Sequence, residues 1–322
     1  MNRVLWRSGI TVSALALGTA QIGGLGYSRF GDHETRLFPE AVEESKRAIR
    51  CAIDLGITFF DTADVYGAGR SERILGKALG RRRRDVTLAT KFGEGFDEQT
   101  GDELEIDITP EYVLRACDAS LRRLGIDVID LYLFHLRDFP MERAVGIRDA
   151  LEDLVAAEKI RGYGWSTDDA ERAALFAEGP HCTAIEHRLN VFDVLTELMA
   201  VCEAHDLASI IRAPLICGVL TGRWTPDTVL PEDDRRSDWF AEQGFQDILR
   251  RAETLRPVFT EAGRSYYVQG AFGWILARSP WAVPIPGFRT VEQVEGLVKT
   301  MTHGPLSPEQ MAAIAALRTR QG

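Results

Sequence analysis

Short apolar runs alternate with longer amphipathic stretches eight times along this 322-residue chain. The runs cover residues 12–17, 57–61, 86–91, 127–134, 162–165, 183–189, 208–213 and 281–285. Between and after them the apolar spacing is helical, over 39–55, 71–79, from 109–110 onward, and over 144–158, 168–178, 195–205, 245–261, 265–277, 291–300 and 308–318. Strict alternation of this kind demands parallel strands joined by right-handed crossovers. Eight repeats close such a sheet into a (β/α)8 TIM barrel.

An open doubly wound sheet is the competing architecture. It carries G-x-G-x-x-G after its first strand, whereas this chain reads Gly18-Thr19-Ala20-Gln21-Ile22-Gly23-Gly24, with the wrong spacing. The prediction is one barrel domain over residues 1–322, with an N-terminal extension and long βα loops at 22–38, 94–108 and 215–243. All three loops fall on the βα side, where barrels build active sites. The apolar stretch 12–20, with Arg3 and Arg7 before it, is too short to span a bilayer and reads as a first buried strand.

Charge and cysteine content narrow the function classes. The formal net charge is −10, which opposes nucleic-acid binding unless a basic face is concentrated somewhere. The one basic run, Arg81-Arg82-Arg83-Arg84, has no interleaved aromatics and reads as a solvated helix end rather than an anion patch. Five scattered cysteines without a C-x-x-C pair point to reduced thiols and a cytoplasmic location. No metal-ligand spacing is present, and no membrane span or nucleic-acid partner is expected. Oligomeric state is not legible.

Four polar residues end successive strands on the βα side: Asp61 with Tyr66 just beyond it, Lys91, and His135. Neighbouring strands lie about 5 Å apart, so inward-pointing side chains there converge. A reaction that builds negative charge on an oxygen is helped by a placed proton donor. A phenol with its ordinary pKa near 10 is a poor match to neutral pH. An ammonium such as Lys91 is expected to lower that pKa, with Asp61 holding the lysine and His135 orienting the reacting oxygen.

In Asp61-Thr62-Ala63-Asp64-Val65-Tyr66-Gly67, Thr90-Lys91-Phe92-Gly93 and Leu133-Phe134-His135, the chain resembles the aldo-keto reductase superfamily. The later segments Gly162–Ser166, Pro214-Leu215 with Gly218 and Leu220-Thr221-Gly222, and Ile285-Pro286-Gly287 follow in the same order. The resemblance implies a (β/α)8 fold and NAD(P)(H)-dependent interconversion of a carbonyl and an alcohol, with Tyr66 as general acid/base and Lys91, Asp61 and His135 in support. It also implies cofactor contacts from Ser166, Thr167, Glu186, Arg212, Ala213, Leu215, Cys217, Gly287, Arg289, Thr290 and Gln293. Arg289 and Thr290 occupy the positions that hold a 2′-phosphate, which favours NADP(H) over the alternative, NAD(H).

Several positions depart from the family. Thr167 stands where it commonly has Asn, Glu186 where it has Gln, and Arg212 where an aromatic usually underlies the nicotinamide. Gly296 and Leu297 replace a Glu-Asn pair on the adenine. The changes at Glu186 and Arg212 fall on neighbouring strands and are expected to form one charge pair beneath the nicotinamide, the guanidinium stacking as an aromatic would. An ordinary barrel-mouth salt bridge is the other reading.

Tyr27, Phe30, Trp224, Trp239 and Phe240 lie in the long loops, as pocket walls or as staples. The acidic third loop (Glu94, Asp97, Glu98, Asp102, Glu103, Glu105, Asp107) leaves cationic substrates such as amino sugars open and disfavours anionic ones. Three functions stay open. They are a reductase of aldehydes, ketones or sugars, a sugar or alcohol dehydrogenase on the same scaffold, and a cofactor-binding regulatory subunit with vestigial chemistry.

Overall fold

The computed structural model describes residues 1–22, 39–229, 242–261 and 267–319. Its centre is an eight-stranded parallel sheet: β1 (Leu17–Gly18), β2 (Phe59–Asp61), β3 (Thr87–Phe92), β4 (Leu131–Phe134), β5 (Tyr163–Ser166), β6 (Cys182–Arg188), β7 (Ala208–Arg212) and β8 (Ala282–Pro284). The strands neighbour one another in sequence order. A parallel bridge between Gly18 and Gly287 brings the two edges together. A Cβ on Gly18 would stand 3.0 Å from the carbonyl oxygen of Ile285, so the seam depends on that missing side chain.

Helices α1 (Pro39–Asp54), α2 (Arg70–Leu79), α3 (Pro110–Leu124), α4 (Met141–Ala156), α5 (Ala170–Ala177) and α6 (Thr196–Ala204) cover the sheet. They are followed by α7 (Gln243–Phe259), α8 (Tyr267–Arg278), α9 (Val291–Lys299) and α10 (Pro308–Thr319). Their ends follow local chemistry. Thr109 caps α3 by accepting from the Tyr112 N–H at 3.3 Å, with Pro110 in the first turn, and Gly125 ends it in the left-handed region at φ 68°.

The expected first strand over 12–17 resolves into two elements. Residues Asn2–Leu5 and Ile10–Ser13 pair antiparallel as a hairpin, and β1 starts only at Leu17. Leu5 and Val12 from the hairpin pack with Phe59, Leu131, Ala208 and Val283 inside the barrel. Burying side chains of this size contributes about 1.5–3 kcal/mol each. Arg7 clasps the hairpin to the barrel, donating to the carbonyl oxygens of Gly179 (3.1 Å), Cys182 (3.3 Å) and His205 (2.7 Å). The turn at Trp6–Ser8 precedes the apolar run, and within 12–17 every residue is buried, so no alternation marks where the hairpin ends and β1 begins.

The pleat then positions the site. Phe59, Ala89 and Ala184 point into the barrel, so two residues onward Asp61, Lys91 and Glu186 also point inward, at the C-terminal end of the strands. The alternate residues Phe60, Leu88, Tyr132, Phe134, Trp165 and Ile185 face the helices in the larger core. The arginine run is a short 3-10 turn in which Arg83 binds Asp130 at 2.7 Å and Arg82 pairs with Asp54 and Asp85. Among the described residues no helix is long and apolar enough to cross a membrane, and no cluster suited to a metal ion occurs. All five cysteines are free thiols.

Candidate active site

Lys91 is completely buried, and its ammonium is the hub of the barrel mouth. Nζ donates to Asp61 Oδ1 at 2.5 Å and to the Thr62 carbonyl oxygen at 3.0 Å. Glu186 Oε2 lies 3.3 Å from the same nitrogen. Ser166 Oγ donates to Glu186 Oε1 at 3.1 Å, which orients the second carboxyl group. On the outer face of β3, Thr90 donates to Glu72 at 2.6 Å, and Glu72 accepts from Arg123 at 2.5 Å. This buried network steadies the strand that carries Lys91, and single-residue spacing gave no hint of it.

Tyr66 sits half-buried above this cluster. Lys91 Nζ is 5.3 Å from its ring centroid. Directly after Tyr66 the chain turns through Gly67, Ala68 and Gly69, all at positive φ. A Cβ at Gly69 would fall 2.4 Å from Arg123 Cδ, so this turn into α2 requires glycine there. The His135 ring stands edge-on to Tyr66, with centroids 6.0 Å apart and planes at 81°. Its Nδ1 is 3.6 Å from Glu94 Oε1, beyond hydrogen-bond range, and it has no other partner. The four residues expected to converge are therefore neighbours.

Their ionisation differs from the sequence expectation in one respect. Burial pushes the Tyr66 phenol up to about 12; Lys91 pulls it down, but Asp61 and Glu186 push it further up. The expected net lowering by the ammonium does not occur, because burial outweighs its pull and Asp61 and Glu186 offset it further. Burial opposes the Lys91 ammonium, yet Asp61 and Glu186 outweigh it and raise its pKa. Asp61 is pushed up to about 8, by burial first and with Glu186 adding to it against the pull of Lys91. Burial, followed by the charges of Lys91, Arg137 and Arg212, holds His135 well below the ordinary histidine range. It is a neutral imidazole.

The expected pair between Glu186 and Arg212 is not formed. Arg212 Nη2 instead donates to Asp168, which also accepts from Arg188 Nε at 2.9 Å. Lys91 claims Glu186, and Asp168 lies two residues beyond the inward-facing Ser166, so the nearer counter-ion wins. Thr167 spends its hydroxyl locally, accepting from the Asp169 N–H at 3.2 Å. Leu297 is buried in the core.

The remaining cofactor candidates line two turns. Ala213, Ile216 and Cys217 all have positive φ, as does Gly218. Leu215 is half-buried within this string of tight turns. Non-glycine residues in that region carry strain of about 1–3 kcal/mol each, and such strain gathers at ligand clamps. Gly287 opens the turn into α9, where a Cβ would press on Gln21 at 3.0 Å. There Thr290 accepts from the Gln293 N–H at 3.2 Å, and Gln293 accepts from the Arg289 N–H at 2.7 Å. Glu44 accepts from the Val291 N–H at 2.9 Å, a carboxylate at the helix start that the sequence did not announce. The residues fit a dinucleotide: Arg212 Nε and His135 Nδ1 are buried without partners at the mouth, and Arg289 stands exposed at a helix N-terminus.

Of the loop aromatics, Trp224 packs into the core, which makes it a staple. Tyr27, Phe30, Trp239 and Phe240 lie outside the described residues. Three of the third loop's seven acids are committed: Asp97 caps its own turn, Glu98 binds Arg73 and Arg123, and Asp107 binds Arg143. Glu94 alone approaches the site.

The profile described as "Aldo/keto reductase family" matches residues 15–319. The chain is 31% identical over 297 residues to an NADP(+) aldo-keto reductase of Schizosaccharomyces pombe, covering 89% of this chain and 86% of that one. It is 29% identical over 300 residues to an NADH-specific methylglyoxal reductase of Escherichia coli, covering 88% of each. Among solved structures, the glycerol dehydrogenase of Gluconobacter oxydans superposes with a TM-score of 0.82 at 29% identity, over 97% of this chain and 93% of that one. With a (β/α)8 barrel, this arrangement at its mouth and a family match over nearly its whole length, the chain belongs to the aldo/keto reductase family of oxidoreductases.

Proposed function

We propose that this protein is an NADP(H)-dependent carbonyl reductase in which Tyr66 is the general acid. One observation carries the reading: a half-buried phenol stands 5.3 Å over a buried ammonium and edge-on to a neutral imidazole, at the C-terminal mouth of the barrel. A nicotinamide cofactor, when bound, supplies the hydride. Tyr66 donates its proton to the carbonyl oxygen as negative charge develops there. Lys91 stabilises the phenolate left behind, and Asp61 holds Lys91 in place. His135, neutral, presents a ring N–H to the substrate oxygen and fixes its direction.

Ser166, Thr167, Glu186 and Arg212 would hold the nicotinamide end. Ala213, Leu215 and Cys217 with Gly287 would hold the diphosphate, and Arg289, Thr290 and Gln293 the 2′-phosphate. The NADP(+) relative supports this preference, while the NADH-specific relative keeps NAD(H) as the competing cofactor. The substrate is a small aldehyde, ketone or sugar. Reduction uses the protonated phenol and oxidation of an alcohol uses the phenolate, so the same groups serve both directions. The five free thiols suit a reducing compartment, and we assign the protein to the cytoplasm.

The test is Tyr66→Phe. Turnover is expected to vanish while NADPH binding, followed by fluorescence titration, stays within a few-fold of wild type. Turnover that survives within tenfold removes Tyr66 from the role. NADPH bound but never oxidised across a carbonyl panel would favour the regulatory alternative, against which the assembled Tyr66, Lys91, Asp61 and His135 stand.

A further inference from the structure

Lys91 provides one positive charge to two fully enclosed carboxyl groups. Asp61 and Glu186 are 1% and 2% exposed, and both reach the same Lys91 Nζ, at 2.5 and 3.3 Å. Asp61 Oδ2 and Glu186 Oε2 are both buried without a hydrogen-bond partner. Two ionised carboxylates would leave a net negative charge in a site that excludes water, and would leave two acceptors unsatisfied. A proton taken from solvent removes both penalties at once. None of the remaining groups around the pair gives it a second bonded cation. Tyr66, from the loop after β2, is a neutral phenol, and His135, after β4, is a neutral imidazole. His187, next along β6, is held down to about 4 by burial. Arg212, on β7, bonds Asp168, which it shares with Arg188, and reaches Glu186 only through space without a hydrogen bond, and Glu94, after β3, would only add negative charge.

We propose that Glu186 is a positioning residue that grips Lys91 together with Asp61, that the two carboxyl groups share one proton at neutral pH, and that this proton leaves before that of Tyr66. Losing the shared proton places a negative charge beside the phenol, which then holds its own proton more tightly. Two linked titrations of this kind repel each other in pH. The consequence for catalysis is a general acid that stays protonated into the alkaline range. That consequence rests on Tyr66 being the proton donor; the shared proton does not.

Infrared difference spectroscopy of the protein without cofactor tests the shared proton directly. Asp64 is also a buried acid raised well above the carboxylate range, chiefly by burial, and it provides a constant background. At neutral pH the wild type is expected to show a protonated-carboxyl band beyond that background, and both Glu186→Gln and Asp61→Asn should remove it. In either variant the single remaining carboxylate pairs with Lys91 and stays ionised. A band that survives either substitution overturns the proposal.

Ultraviolet difference titration reads the second half, with Tyr66→Phe subtracted in each background. Tyr66 is expected to ionise at least about one pH unit lower in Glu186→Gln, a tenfold change in proton affinity. An unmoved Tyr66 titration overturns the linkage. Circular dichroism confirms folding, and Glu186→Asp, which restores the carboxyl group, should recover part of the shift where a packing defect would not. Neither readout needs turnover, so each stands or falls apart from the assignment of Tyr66 as the acid.

Discussion

Arg212 is held by Asp168, across the barrel mouth from strand β7 to the residue just past β5. Asp168 carries two guanidinium groups, those of Arg188 and Arg212, and Arg212 is the more buried of them. Removing Asp168 strands a half-desolvated charge, whereas removing Glu186 leaves this ion pair intact. NADPH affinities measured for Asp168→Asn, Arg212→Tyr and the double variant should therefore be coupled. The parallel cycle with Glu186→Gln and Arg212→Tyr should be additive within about 0.5 kcal/mol. Additivity in the first cycle, or coupling in the second, would reverse the assignment of the counter-ion.

A second expectation concerns pH. With Tyr66 as the proposed acid in reduction, kcat for reduction is expected to fall only as pH climbs toward the phenol's ionisation at about 12. Oxidation needs the phenolate and should rise steadily with pH over the same range. His135 is held low by burial and by the neighbouring cations. It stays neutral down to pH values below the ordinary histidine range, and no acid limb near pH 6.5 should appear. Initial rates in both directions from pH 5 to 10 check both statements. A reduction rate that halves near pH 6.5 or near pH 8 would contradict them.

Much of this was legible in the sequence, and the reason is local chemistry. Thr109-Pro110 marks the start of α3 without reference to the rest of the fold. Asp61, Lys91 and His135 fall at strand ends, and strand ends of a barrel meet. What the sequence concealed depends on partners far apart along the chain. Glu186 and Lys91 are brought together by closure, and nothing in either segment states which of two nearby cations the glutamate chooses. The signal that could have helped is parity. Ser166 and Asp168 share a face, as do Ile210 and Arg212, which puts Asp168 on the same inner rim as the arginine. The break between the hairpin and β1 was hidden for another reason: every residue from 12 to 17 is buried, so the alternation that would mark a strand end is lost.

Backbone crowding near the site yields a stability prediction. A Cβ on Gly164 would stand 1.9 Å from the Ala184 carbonyl oxygen and 3.0 Å from Leu133 Cδ2, and backbone cannot yield as a flexible side chain can. Gly164→Ala should cost about 3 kcal/mol or more. It should also separate β5 from β6, moving Ser166 away from Glu186. Urea denaturation reads the first effect. Loss of NADPH affinity in the folded fraction reads the second. A variant within 1 kcal/mol of wild type would mean that the strands separate at little cost.

The start of α9 is where NADPH and NADH should be told apart. Arg289 stands exposed there and Gln293 accepts its backbone N–H, while Glu44 occupies the Val291 N–H. A guanidinium on a phosphate dianion gives charge-assisted hydrogen bonds of about 1.5–3 kcal/mol. Arg289→Ala is therefore expected to weaken NADPH on the order of tenfold to a hundredfold and to leave NADH nearly unchanged. Glu44 acts with the opposite sign, since its carboxylate repels the same phosphate and competes for the helix N-terminus. Glu44→Gln should tighten NADPH without affecting NADH, and the gain should shrink as salt is added. Dissociation constants for both cofactors, at low and at physiological ionic strength, decide the matter. Equal changes for the two cofactors in Arg289→Ala would move the 2′-phosphate away from this turn.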